Sequence, residues 1–164
     1  MSSEPENDYN TAVVVFLGCS MALSVGAKAP DFNVKDTNGN TVVLSTFLGQ
    51  KVVMYFYPKD DTPGCTKQAC SFRDNYATYL QKGITVLGVS QDDEAAHQAF
   101  TSKFSLPFPL LADVGGAISK AYDVDAGGYA KRVTYVIDEN GSIAHVDDAV
   151  STATHADDIL KVVG

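Results

Sequence analysis

Apolar positions along the chain fall in short blocks whose period switches between two and 3.6. Phe32 and Val34 alternate with polar neighbours, an Asn38-Gly39 pair marks a hairpin turn, and Val42 to Leu44 return as a second strand. Val52 to Tyr57 then run unbroken until Pro58, as a strand covered on both faces would. Ala69, Phe72, Tyr76 and Leu80 follow at helical spacing, with Gly83 placed to end that helix. A strand from Ile84 to Ser90, a helix starting near Asp92 to Glu94 and an extended piece from Leu106 to Asp113 come next. A helix through Ala117, Ile118, Ala121 and Tyr122 precedes the strand RVTYVID, an Asn140-Gly141 turn, the strand SIAHV and a last helix ending near Val163. This alternation predicts an α/β fold, a central sheet with helices on both faces.

The charge-free stretch from Thr11 to Ala27 changes that picture at one end only. It is short for a spanning helix, which needs about 20 apolar residues. Acidic Glu4, Glu6 and Asp8 precede it, where a secretory signal carries basic residues. The reading is an N-terminal extension over residues 1–20 and one domain over 21–164, with Met21 as a candidate internal start. Export or lipid anchoring through Cys19 is the alternative to a cytoplasmic location. The net charge of −8 repels nucleic acid, and three cysteines do not make a paired disulfide framework. Thiol chemistry in a reducing compartment is the better reading of them.

The chemistry concentrates in DDTPGCTKQAC, residues 60–70. Thr62 is a favoured N-cap, Pro63 suits the first helical position, and Gly64 leaves room beside the backbone. Cys65 then stands third in the helix, where free N–H groups and the helix dipole stabilise an anion. A thiolate is expected there. Cys70 lies five residues further on, and helix geometry separates the two α-carbons by roughly 8.7 Å on nearly opposite faces. Disulfides need about 4.4–6.8 Å. On spacing alone two readings stand: Cys70 is a small helix residue, or it is a partner that Cys65 reaches only when the first turns unwind.

The segment YFYPKDDTPGCTKQACSFRDNY, together with VGAKAPDF, PFPLLAD and KRVTYVIDENG, resembles the peroxiredoxins of the peroxiredoxin Q or bacterioferritin-comigratory-protein type. The Pro-x-x-x-Thr-x-x-Cys pattern falls on Pro58, Thr62 and Cys65. The resemblance implies a thioredoxin-like fold with a central mixed sheet flanked by helices, Cys65 as peroxidatic cysteine, Cys70 as resolving cysteine and Arg132 as the active-site arginine. It further implies reduction of hydrogen peroxide or alkyl hydroperoxides through a sulfenic acid and a Cys65–Cys70 disulfide, recycled by thioredoxin or a similar dithiol. No metal, haem or flavin is required by that chemistry, and many relatives of this type are monomers.

Ionisation alone is too small an effect for such a peroxidase. A free thiol is already about 3% thiolate at neutral pH, so complete ionisation gains at most about thirty-fold. The remainder is assigned to donors that orient the peroxide and stabilise the breaking O–O bond: the Thr62 hydroxyl, the Arg132 guanidinium and the Gly64 and Cys65 backbone N–H groups. Pro58 is expected to shield the sulfur from water.

Other constellations carry less. His97, His145 and His155 show no metal-ligand spacing with the cysteines. Asp92 to Glu94 reads as a helix start, and Phe100, Phe104 and Phe108 as core. A protein thiol–disulfide oxidoreductase lacks its usual Cys-x-x-Cys, and a non-catalytic redox sensor remains the third possibility.

Overall fold

The uninterrupted apolar run forms strand β3, Lys51–Phe56, in the middle of the sheet. Every side chain from Val52 to Phe56 is at most 1% exposed, so the strand is covered on both faces. Val53 and Tyr55 pack on one side with Ala69, Phe72, Tyr79 and Ile159, while Val52, Met54 and Phe56 pack on the other with Ile118, Tyr122 and Val124. Each such side chain contributes roughly 1.5–3 kcal/mol by leaving water. The structure, a computed structural model, describes residues 22–163. The expected extension over residues 1–20, with Cys19, and Met21 lie outside the described residues.

Around β3 the chain builds a five-stranded mixed sheet of order β5-β4-β3-β6-β7. Its other strands are β4 (Ile84–Ser90), β5 (Leu110–Ala112), β6 (Val133–Ile137) and β7 (Ile143–Asp147). β4 runs parallel to β3 and β5, whereas β6 is antiparallel to β3 and β7. The helices are α1 (Pro63–Gln81), α2 (Glu94–Phe104), α3 (Ala117–Ala121) and α4 (His155–Val163). The α/β reading and the order of elements agree with the hydrophobic pattern.

Two local expectations need correction. β1 (Asn33–Lys35) and β2 (Thr41–Val43) form the hairpin, but Leu44 opens a 3-10 turn instead of extending the strand. The Asn38-Gly39 pair lies in the hairpin turn as expected, within the five residues that the pairing of Lys35 with Thr41 leaves between the strands. The Asp36 carboxylate organises that loop by accepting from the Asn38 and Asn40 N–H groups, both at 2.9 Å, while Gly39 takes φ +80°. On α1 the inward position is Tyr79 and not Leu80. The Tyr79 hydroxyl donates to the Ala156 carbonyl of α4 at 2.7 Å, and Leu80 is left 58% exposed. Phe100 and Phe108 are buried as expected, and Phe104 packs at the margin of the same cluster.

One register positions the site. Phe56 at the end of β3 pairs with Val133 at the start of β6. The residue before Val133, Arg132, is thereby carried to the end of β3 where the chain turns toward α1.

Candidate active site

The loop from Pro58 to Thr62 joins the central strand to α1, the longest helix among the described residues. Asp61 takes φ 60°, a left-handed conformation that aspartate tolerates, and its carboxylate meets Lys103 of α2 at 2.9 Å. Thr62 is the N-cap residue, as its sequence position predicts, but its hydroxyl does not cap the helix. It donates instead to the Lys59 carbonyl at 2.9 Å. The Gly64 and Cys65 N–H groups, which a capping side chain would have taken, are not consumed by it.

Cys65 is the third residue of α1 and is 1% exposed. Arg132 Nη2 donates to its Sγ at 3.4 Å, and Nη1 donates to Gln68 Oε1 at 2.7 Å. The sulfur therefore faces two sources of positive potential, the helix N-terminus and a guanidinium held by one turn of the same helix. Gly64 leaves room for this approach: a Cβ there would stand 3.1 Å from Arg132 Nη2, a crowded contact. Pro58 lines a groove of about 470 Å³ with Lys59, Gln91, Asp92, Gly128 and Tyr129. Cys70 is half-buried on the intact helix, and both cysteines are free thiols.

Thus Cys65, Gly64 and Arg132 converge, Thr62 borders them with its proton directed away, and Cys70 stands apart. Gln68 was missed from sequence. It is fully buried, and its Nε2 has no hydrogen-bond partner. Only a polar residue one helical turn after a candidate nucleophile could have hinted at it.

Two buried histidines, scattered in sequence, flank the site. His97 Nδ1 lies 2.7 Å from Asp60 Oδ2, and its Nε2 lies 2.9 Å from the Leu111 carbonyl. Burial alone would lower its pKa, but the hydrogen bond and charge of Asp60 outweigh it and His97 stands above its ordinary value. His155 meets Thr134 Oγ1 at 2.8 Å but has Asp147 no nearer than 3.6 Å. There burial prevails and pulls the pKa down to about 4. Among the described residues no three His, Cys, Asp or Glu side chains cluster to hold a metal, and no helix is long and apolar enough to cross a membrane.

A thiol at a helix N-terminus under an arginine is a site for attack on an electrophile that leaves as an anion. Comparison with known proteins agrees. The AhpC/TSA family pattern matches residues 25–146. Wheat (Triticum aestivum) chloroplastic peroxiredoxin Q is 44% identical over 145 residues, which cover 86% of this chain and 67% of the relative. Peroxidoxin BcpB from Mycobacterium tuberculosis superposes with a TM-score of 0.81 at 32% identity, over 88% of this chain and 97% of that one. The bacterioferritin comigratory protein of Xanthomonas campestris, described by its alkyl peroxide reduction activity, gives 0.79 at 29% identity over 85% and 97%. With a thioredoxin-like sheet and a buried thiol at the head of α1, the chain belongs to the AhpC/TSA family, as a peroxiredoxin, a thiol-dependent peroxidase.

Proposed function

We propose that Cys65 is the peroxidatic cysteine and that the protein reduces hydrogen peroxide and alkyl hydroperoxides. The observation that carries this reading is the 3.4 Å approach of Arg132 to the Cys65 sulfur at the head of α1. The Cys65 thiolate attacks one peroxide oxygen, the O–O bond breaks, and the leaving hydroxide or alkoxide takes a proton to become water or alcohol. Arg132 and the Gly64 and Cys65 N–H groups stabilise the negative charge as that bond lengthens. Because the Thr62 proton points to Lys59, its lone pairs are free to accept the peroxide O–H and set the angle of attack. Pro58 screens the sulfur from water.

Cys70 resolves the product. Its thiol condenses with the Cys65 sulfenic acid, forming the S–S bond and releasing water. A thioredoxin-type dithiol then reduces the disulfide by exchange and is itself oxidised. Helix geometry holds the α-carbons at roughly 8.7 Å, beyond disulfide reach, so resolution requires the first turns of α1 to unwind. The protein works as a monomer in a reducing compartment, the cytoplasm in our reading, although the wheat relative is chloroplastic.

Peroxide consumption with thioredoxin and its reductase tests this. Turnover should vanish in Cys65→Ser. In Cys70→Ser one equivalent of peroxide should still be consumed, with no recycling by thioredoxin. Reduction of a disulfide substrate without peroxide would instead support a protein oxidoreductase, and stoichiometric oxidation without turnover a sensor.

A further inference from the structure

The buried groups that the peroxidase chemistry leaves unused form one connected network under the active-site loop. The Tyr57 hydroxyl donates to Asp60 Oδ1 at 2.6 Å, and His97 holds the other carboxylate oxygen at 2.7 Å. The Asp60 N–H donates to Asp92 Oδ2 at 2.9 Å, an oxygen that also accepts from Ser90 Oγ at 2.6 Å. The Lys59 carbonyl accepts from Thr62. The Lys59 C=O and the Asp60 N–H belong to one peptide plane, so the groups that hold Asp60 also hold the acceptor that orients Thr62.

The proton count follows from geometry. The Leu111 carbonyl only accepts, so His97 Nε2 carries a proton. An unprotonated Nδ1 would point its lone pair at the Asp60 carboxylate. A proton therefore sits between Nδ1 and Asp60, and beside a carboxylate that already accepts from Tyr57 the ring takes it as an imidazolium. We propose that Asp60 and His97 are positioning residues for the peroxidase reaction: their buried ion pair fixes the Lys59–Asp60 peptide and so sets the Thr62 hydroxyl toward the incoming peroxide. This rests on the proposed role of Thr62 and adds a distant residue, on α2, to the reaction.

The groups facing the imidazole are Asp60 from the loop, Asp92 from the turn before α2, and the Leu111 carbonyl of β5. Lys59 stands 4.0 Å from Asp92, at the exposed side. With two carboxylates near and the ring wholly enclosed, loss of its proton comes on the alkaline side of its ordinary range. Below that point the loop is held, and above it the Nδ1 contact turns repulsive.

The test is the second-order rate constant for Cys65 oxidation by hydrogen peroxide, followed from pH 6 to 10 in the full chain. His97→Gln and Asp60→Asn should each slow it by roughly ten-fold or more at pH 7, the scale of a misplaced reacting group. The wild-type rate should fall on the alkaline side toward that of His97→Gln, and the variant should lack this limb. Thr62→Val and His97→Gln should not add: the double variant should match Thr62→Val alone. Additive losses, an alkaline limb equal in both proteins, or single-variant rates within about two-fold of wild type would overturn the proposal. Should His97→Gln fail to fold, nitrogen NMR of the wild-type ring decides, and an Nδ1 without its proton at pH 7 overturns the ion pair. A Cys65→Ser protein that still consumes peroxide would instead overturn the parent reading, so the two failures are separable.

Discussion

Arg132 and Gln68 meet at 2.7 Å in the interior, and that contact aims the other arm of the guanidinium at the Cys65 sulfur. Gln68 sits one turn after Cys65 on α1, and Arg132 arrives from the start of β6. Helix and sheet thus hold the cation jointly.

Removing the amide should release that aim. For Gln68→Ala we expect the rate of Cys65 oxidation by peroxide to drop by about ten-fold, because Arg132 loses the buried acceptor that holds its Nη1. The stability cost should be near 1–3 kcal/mol, combining lost packing with a guanidinium left short of a partner. Stopped-flow oxidation and urea melts measure the two effects. A rate equal to wild type would show that Gln68 does not hold Arg132 for the reaction.

Gly64→Ala should separate rate from stability in the opposite sense. A methyl at position 64 would meet Arg132 Nη2 at 3.1 Å and push it from the sulfur, yet alanine favours a helix interior over glycine by about 1 kcal/mol and this second helical position by a smaller margin. We therefore expect an unchanged or raised melting temperature together with slower peroxide reduction. Lowered stability with full activity would contradict the steric account.

Oxidation should change the backbone. With Cys65 and Cys70 on one continuous helix, peroxide treatment of the wild type should lower helical circular dichroism and speed amide exchange over residues 66–70, the first whose N–H groups are bonded within the helix. Cys70→Ser should show neither change after one equivalent of peroxide. An oxidised wild type with full protection at those amides would exclude a Cys65–Cys70 disulfide.

His155 should make the protein sensitive to acid. Its folded-state pKa of about 4 lies below the usual 6.5, because burial disfavours the charged ring. Its contribution is fully present above pH 6.5, where both states are neutral. It is lost as pH falls toward 4, since only the unfolded chain takes up the proton there. The shift corresponds to a loss on the order of 3 kcal/mol. His155→Gln, which keeps a polar group for Thr134, should flatten this acid limb in urea melts at pH 4.5 and 7.5. Parallel losses in both proteins would assign the acid sensitivity elsewhere.

Much of the site could be read from a short stretch of chain because its logic is local. A threonine, a proline and a glycine before Cys65 announce a helix start, and the helix does begin at Pro63 with Cys65 third. The direction of the Thr62 hydroxyl was not legible. Capping by Thr62 competes with the Lys59 carbonyl three residues back, and a peptide plane held by Asp92 and Asp60 brings that carbonyl into reach. Leu80 illustrates the same limit in the core. Helical period admits both Tyr79 and Leu80 to the inner face, and only the Ala156 carbonyl on α4 selects the tyrosine.

Taken by itself, the order of residues determined the alternation of strands and helices, the central strand and the placement of Cys65 at a helix head. These follow from hydrophobic period and backbone chemistry within a few residues. Tertiary structure alone decided which distant side chains meet there: Gln68 against Arg132, and His97 against Asp60, 37 positions away. Those pairings depend on strand register and helix docking, which bring together residues whose spacing in the chain carries no signal of contact.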